Sequence, residues 1–286
     1  MTTSSPMPAP LTPTPEFLAA VAELGVELEP GDGEKLGLYL ALLLETNKTT
    51  NLTAITEPAA AWMRHAFDAL TLLPLLSELP EGATVIDVGS GGGVPGIPLA
   101  VCMPHLSFTL LEPTGKKAKF LEQTATAMGL KNVKVLAERA ERVGQDKARH
   151  REKYDAVVSR AVGPMNVVAE LMIPLCKQGG VIAVIKGAKA EAEVAHANGA
   201  QVRVAEGDGI IRNGFSAIGA LGARVVDIRE TPTGKIVILE KASKTPNLYP
   251  RKDGEPKHNP LGGVFEGGSG ESREGGSGGP QVASRE

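Results

Sequence analysis

Short apolar runs at 84–88, 107–112 ("SFTLLE"), 133–137 ("VKVLA"), 154–159 ("YDAVVS") and 181–186 ("VIAVIK") punctuate the middle of the chain. Between them lie amphipathic stretches that begin near Pro95, Gly115, Ala140 and Pro164. Strands with so little polar alternation are expected to be covered on both faces, and the strand-helix alternation predicts a parallel sheet. The last part reads differently. "ARVVDIRE", a turn at "TPTG" and then "KIVILEK" predict an antiparallel hairpin. Ahead of the first strand, helices are expected near Glu16–Leu24, Glu34–Thr46 and Pro58–Leu76. Leu36, Leu38, Leu40, Leu42, Leu43 and Leu44 leave the second almost no polar face, so it belongs against the main body.

This gives an expected organisation of a disordered Pro/Ser/Thr-rich start at 1–14 and a helical cap over 15–80. An α/β domain over 81–241 follows, then a basic, proline-broken extension at 242–262 and a disordered Gly/Ser-rich tail at 263–286. Composition narrows the picture little. Hydrophobic residues make up 42% and aromatic residues 3%, so aliphatic side chains must fill the core. A net charge of −3 argues against a globally basic nucleic-acid binder but leaves room for a local basic patch. Cys102 and Cys176 are far apart and lack metal-ligand spacing, which favours a reduced, cytoplasmic protein. No signal peptide or bilayer-length apolar run is evident. No metal site is expected.

The chemistry lies in "VIDVGSGGGVPGIP", where the first strand meets glycines and then a helix. Gly91, Gly93 and Gly96 satisfy GxGxxG, the dinucleotide fingerprint, but the neighbours argue otherwise. Pro95 and Pro98 remove N–H donors from the turn that would hold a pyrophosphate, and Asp87 would repel one. Both features suit S-adenosylmethionine, which has no phosphate and carries an ammonium and a sulfonium. Asp87, Gly89 and Gly91 are therefore expected at that cofactor. Glu112, ending the second strand, is placed to accept from ribose hydroxyls, a role common to both ligand classes. Five parallel strands ending in an antiparallel pair is also the sheet of class I methyltransferases, an analogy of fold alone. Ala140 and Glu141 follow the third strand, where they either meet the adenine edge or form an ordinary helix start favoured by the dipole.

The acceptor atom is narrowed by what is missing. The Asn/Asp-Pro-Pro-aromatic loop of amino-directed methyltransferases does not follow the fourth strand, which runs on as "SRAVGPMN". Cys102 and Cys176 sit in apolar contexts unlike those of an activated thiolate. Guanine nitrogen 7 has a free lone pair and needs no base, only in-line placement and suitable electrostatics.

"NLTAITEPAAAWMRHAFDALTLLPLL", "IDVGSGGGVPGIPLA", "FTLLEPTGKKAKFLE", "ERAER", "YDAVVSRAV" and "GGVIAVIKG" occur in order along the chain. Together they closely resemble the ribosomal RNA small subunit methyltransferase G family, also called glucose-inhibited division protein B, from about Leu38 to Leu261. The resemblance implies a Rossmann-like class I methyltransferase acting on guanine nitrogen 7 of 16S rRNA near the decoding centre. Its partner would be 16S rRNA or a small-subunit assembly intermediate. It also implies cofactor contacts at Gly89, Val94, Glu112, Pro113, Thr114, Ala140, Glu141 and Arg160. Val94 departs from the leucine or phenylalanine often found there. Arg160, at the end of the fourth strand, would bind the cofactor carboxylate or an RNA phosphate, or else pair with an acid such as Asp155 or Glu112. Expected RNA contacts are Arg64, Lys186, Tyr249, Arg251 and Lys252, within a basic stretch from Lys241 to Lys257 for the last three. Asn51, Arg64, His65 and Asp68 either line the pocket or hold cap to sheet. A small-molecule methyltransferase and a non-catalytic RNA-binding protein on the same fold are the alternatives.

Overall fold

The computed structural model describes residues 7–160, 163–199, 202–203, 210–211 and 215–265. The chain opens with α1 (Pro15–Glu23), α2 (Asp32–Asn47) and α3 (Pro58–Ala61), which passes through a π-helical turn, Trp62–Phe67, into α4 (Asp68–Leu70). α5 (Leu73–Leu76) completes the cap. The α/β body follows as β1 (Thr84–Val88), α6 (Gly96–Cys102), β2 (Ser107–Leu111), α7 (Gly115–Ala127), β3 (Val133–Leu136) and α8 (Ala140–Gln145). It continues through β4 (Tyr154–Arg160), α9 (Met165–Met172), β5 (Cys176–Lys186) and α10 (Ala190–Ala197). A short ribbon, β6 (Val202–Arg203) with β7 (Ile210–Ile211), precedes α11 (Ala217–Ala220), β8 (Ala223–Thr231), β9 (Gly234–Lys241) and α12 (Glu255–His258).

The main sheet has seven strands in the order β3-β2-β1-β4-β5-β9-β8. The first five are parallel, and β9 pairs antiparallel with both β5 and β8. This is the Rossmann-like class I methyltransferase sheet with its C-terminal hairpin. The chain winds outward from β1 to β3 and then returns to β4, so the crevice between β1 and β4 is the topological switch point where open α/β sheets bind ligands.

Strand alternation sets which side chains reach which layer. Val85 packs with the cap side of the sheet, among Phe17, Leu36, Leu43, Trp62 and Leu110. Ile86 and Val88 point to the other face, with Val157, Val168, Ile182 and Leu239. Asp87 shares the face of Val85 and so lies under α6.

Three elements differ from expectation. The helix expected over Pro58–Leu76 contains the π-helical turn and is broken again before α5, where Pro74 has no N–H to continue the ladder. β5 starts at Cys176 rather than 181, after a register irregularity between Tyr154 and Ala156 of β4. Residues 7–14, placed in a disordered start, dock on the cap. Leu11 N–H donates to the Gly37 carbonyl (3.1 Å), and the Thr14 hydroxyl accepts from Phe17 N–H (3.2 Å) to cap α1. Residues 263–265, placed in the disordered tail, are held by Asn166 and His196, while the expected disorder of residues 1–6 and 266–286 lies outside the described residues.

Candidate active site

Glycine gives the loop after β1 its shape, with φ of +74° at Gly89, +55° at Gly91 and +98° at Gly93. The turn points Gly91 N–H at Glu112 Oε2 (2.9 Å), while Thr114 N–H donates to Oε1 (2.8 Å). Glu112 is thereby fixed between the loops after β1 and β2, and each oxygen keeps a second lone-pair direction for a ligand hydroxyl.

Asp87 is fully buried, and its Oδ2 accepts from Gly96 N–H (3.0 Å) at the start of α6. A Cβ at Gly96 would overlap Leu110 and fall 2.8 Å from Asp87 Oδ2, so only glycine allows this contact. Asp87 Oδ1 is buried with no hydrogen-bond partner. Burial lifts the carboxyl to about 7, against the pull of Gly96 N–H and of Arg160. Pro95 precedes α6, Pro98 lies within it, and Gly96 N–H already has its acceptor. This helix start therefore offers few of the donors that a pyrophosphate needs.

The cap supplies the other half. The π-helical turn widens the helix where Arg64 and His65 face the end of β4. Arg160 donates from Nη1 to the Arg64 carbonyl and to Asp68 Oδ2 (3.3 Å), and from Nη2 to His65 Nδ1 (3.1 Å). A guanidinium only donates, so Nδ1 accepts and the His65 proton sits on Nε2, facing Thr53 Oγ1 at 2.9 Å. Burial, then the Arg160 charge, lowers the His65 pKa to about 4 and keeps the ring neutral. Burial also raises the Asp68 pKa, opposed by Arg160. Asp68 is the acid that Arg160 pairs with. Asp155 instead binds Lys177 and Thr84, and Glu112 binds backbone N–H groups. The cluster both joins cap to sheet and lines a cavity. Asn51 is exposed and takes no part in it.

Three cavities run along this edge. One of about 450 Å³ is walled by Val88, Gly89, Leu111, Pro113, Ala140, Glu141 and Val167. A second, about 210 Å³, lies over the glycine loop and includes Gly89, Gly91, Val94, Lys117 and Arg160. The third, about 640 Å³, includes Thr53, Arg64, His65, Asp68, Arg160 and Lys186. Gly89 is common to the first two, and Thr53, His65 and Arg160 to the last two. An apolar slot, a carboxylate set for two hydroxyls, an orphaned buried carboxylate oxygen and a cation-lined pocket together fit S-adenosylmethionine.

The family model for rRNA small subunit methyltransferase G matches residues 32–206. The chain belongs to that family. It is 44% identical over 245 residues to the ribosomal RNA small subunit methyltransferase G of Sorangium cellulosum, covering 86% of this chain and 95% of that protein. The Bacillus subtilis protein of the same name is 34% identical over 252 residues, covering 86% and 98%.

Of the residues expected at the cofactor, the structure gathers Gly89, Gly91, Val94, Pro113, Ala140, Glu141 and Arg160 on the cavities, with Glu112 between the loops. Thr114 contributes through its N–H, and Asp87 sits beneath the loop rather than on a cavity wall. Arg64 is exposed at the mouth of the third cavity, with Nη1 donating to the Thr233 carbonyl (3.1 Å).

The other expected RNA contacts fare differently. Lys186 is buried, 2.5 Å from Glu193 and 2.6 Å from the Gly163 carbonyl. Arg251 grips Glu170, a wholly buried acid, through Nε (2.9 Å) and Nη2 (2.6 Å). Lys241 is fully buried and pairs with Glu152 at 3.1 Å. These cations are occupied inside the chain: Arg251 and Lys241 by acids that lie far away in sequence, and Lys186 by Glu193, seven residues on. Tyr249 is half-buried against the cluster on the face of Ile86 and Val88. Lys252 stays exposed, in an open cleft of about 900 Å³ between α8 and the extension.

Sequence reasoning missed Thr53, Arg151 and Asn166 as site or scaffold residues. The "NLT" stretch carried a signal for the first; nothing local marked the others. Cys102 and Cys176 are core residues, their thiols pushed up to about 12 by burial.

Proposed function

We propose that this methyltransferase transfers the methyl group of S-adenosylmethionine to nitrogen 7 of a guanine in 16S rRNA, in the cytoplasm. The reading is carried by the contiguous cavities that meet at Thr53, His65 and Arg160. Polarity orients the cofactor. The apolar slot at Ala140 suits the purine, Glu112 the ribose, and the pocket with Lys117 and Arg160 the amino-acid end. Bound there, the cofactor supplies an electrophilic methyl on its sulfonium. The third cavity then receives the base, with exposed Arg64 at its mouth to meet RNA phosphate.

The side chains around that cavity favour an acceptor that has no proton to lose. Both nitrogens of His65 are engaged, Asp68 lies beneath Arg160, and Glu193 pairs with Lys186. Guanine nitrogen 7 meets that condition, since its lone pair attacks without prior deprotonation. Mapping modified nucleotides in small-subunit rRNA incubated with and without the enzyme tests the proposal. One new 7-methylguanine is expected in 16S rRNA. Methylation at another atom, or none on naked rRNA, assembly intermediates or finished subunits, overturns it.

Asp87 makes a second expectation. Its raised pKa means that the folded, ligand-free protein holds a proton that the unfolded chain gives up, so stability falls as pH rises from about 4 to about 7. A cationic ligand favours the ionised carboxylate, so its affinity rises with pH through about 6 to 8. Calorimetric titration with S-adenosylmethionine across that range should show the rise in the wild type and a flatter profile in Asp87→Asn. A flat wild-type profile sinks the assignment.

A further inference from the structure

The apolar slot has a wall built from the end of the described chain. Gly254, Lys257, Pro260, Val264 and Phe265 line it opposite Pro113 and Ala140. This stretch is held at several points. Gly254 N–H donates to Glu141 Oε1 (2.8 Å), and the buried Asn166 amide donates to the carbonyls of Leu261 and Gly263, both at 2.8 Å. His196, also buried, places Nε2 3.1 Å from the Gly263 carbonyl, and its ring meets Phe265 edge-on with centroids 5.6 Å apart.

Asn166 thus commits both amide donors to one short segment, while its Oδ1 accepts from Val167 N–H (3.1 Å). Such a buried amide is costly unless the segment stays in place. Val264 keeps 65% of its surface exposed although it lines the slot. A valine beside an aromatic ring, facing an open cavity across from Pro113 and Ala140, is half of a sandwich for a flat apolar group.

We propose that residues 260–265 form a lid on the cofactor slot, with Val264 and Phe265 as one wall for the adenine and with Asn166 and His196 holding it closed. The proposal rests on the reading of the slot as the adenine end of the S-adenosylmethionine site. The lid contacts only the nucleoside half, so it governs how long cofactor and product stay bound. It leaves Arg160 and the acceptor cavity untouched.

Phe265→Ala and the Val264→Ala/Phe265→Ala double variant are at the rim and are expected to melt with the wild type. Calorimetry with S-adenosylhomocysteine and with adenosine should show affinity falling about tenfold in Phe265→Ala, and further in the double variant. The loss should match for the two ligands and, in stopped flow, appear mainly as faster dissociation. Wild-type affinity in both variants overturns the lid. A wild-type chain that binds neither ligand overturns the cofactor reading itself, which is a separate result.

Discussion

Replacing Arg160 with lysine is expected to lower methyl transfer to rRNA about a hundredfold or more, while shifting the melting temperature by only a few degrees. Arg160 has five N–H donors. Two on Nη1 go to the Arg64 carbonyl and Asp68, and one on Nη2 goes to His65. Among the described residues this leaves Nε–H and one Nη2–H, two donors suited to a carboxylate or phosphate. Lysine keeps the charge but loses the planar geometry, so a ligand held through two bonds is held through one or none.

The fold should tolerate the loss. Asp68 already has its pKa raised by burial, so with a weaker partner it can take up a proton rather than remain a bare buried charge. Turnover, cofactor affinity and melting temperature measured on the same preparation separate the two effects. Turnover within a factor of two of wild type would remove Arg160 from the site.

How far the sequence could be read depended on whether the information was local. β1 and β2 were legible because short, mostly apolar runs that alternate with helical stretches fit strands covered on both faces. Asp87 and the two prolines excluded a pyrophosphate loop because charge and missing donors are properties of the residues themselves. The role given to Asp87 depended on more. Period-two alternation turned it under α6, where Gly96 N–H takes one oxygen and burial moves its titration toward neutrality. The π-helical turn at Trp62–Phe67 left no mark in the hydrophobic pattern, yet it sets Arg64 and His65 against Arg160. The basic extension was the least legible part. Counting its cations suggested RNA, while Glu170 and Glu152, distant in sequence, take up Arg251 and Lys241.

That reassignment has its sharpest test at Arg151. Arg151→Ala is expected to destabilise the RNA-free protein by on the order of 3–5 kcal/mol, or roughly 10 °C in melting temperature. Arg151 is only 6% exposed, and its guanidinium donates from Nη1 to the carbonyls of Gly144 (2.8 Å) and Tyr249 (2.6 Å). From Nη2 it reaches those of Thr245 (2.8 Å) and Pro246 (3.1 Å). One side chain therefore clamps the start of the extension onto the body. Its removal takes the side-chain donor from four carbonyls, of which, among the described residues, the Pro246 carbonyl alone keeps another, Tyr249 N–H at 3.0 Å, and two of the lost contacts are wholly buried. The damage should spread, because the same extension carries the Arg251–Glu170 pair, the Gly254–Glu141 bond and the far wall of the apolar slot. Arg151→Lys should recover part of the loss, since an ammonium can reach some of the carbonyls but cannot span all four. An RNA-binding role for this segment predicts the opposite pattern: an ordinary melt without RNA and a defect that depends on salt when RNA is present. A buried clamp predicts a melting defect without RNA that changes little with ionic strength. Thermal melts of wild type, Arg151→Ala and Arg151→Lys at low and high salt distinguish the two, and an Arg151→Ala melt within 2 °C of wild type, a margin of about 1 kcal/mol or less, rules out the clamp.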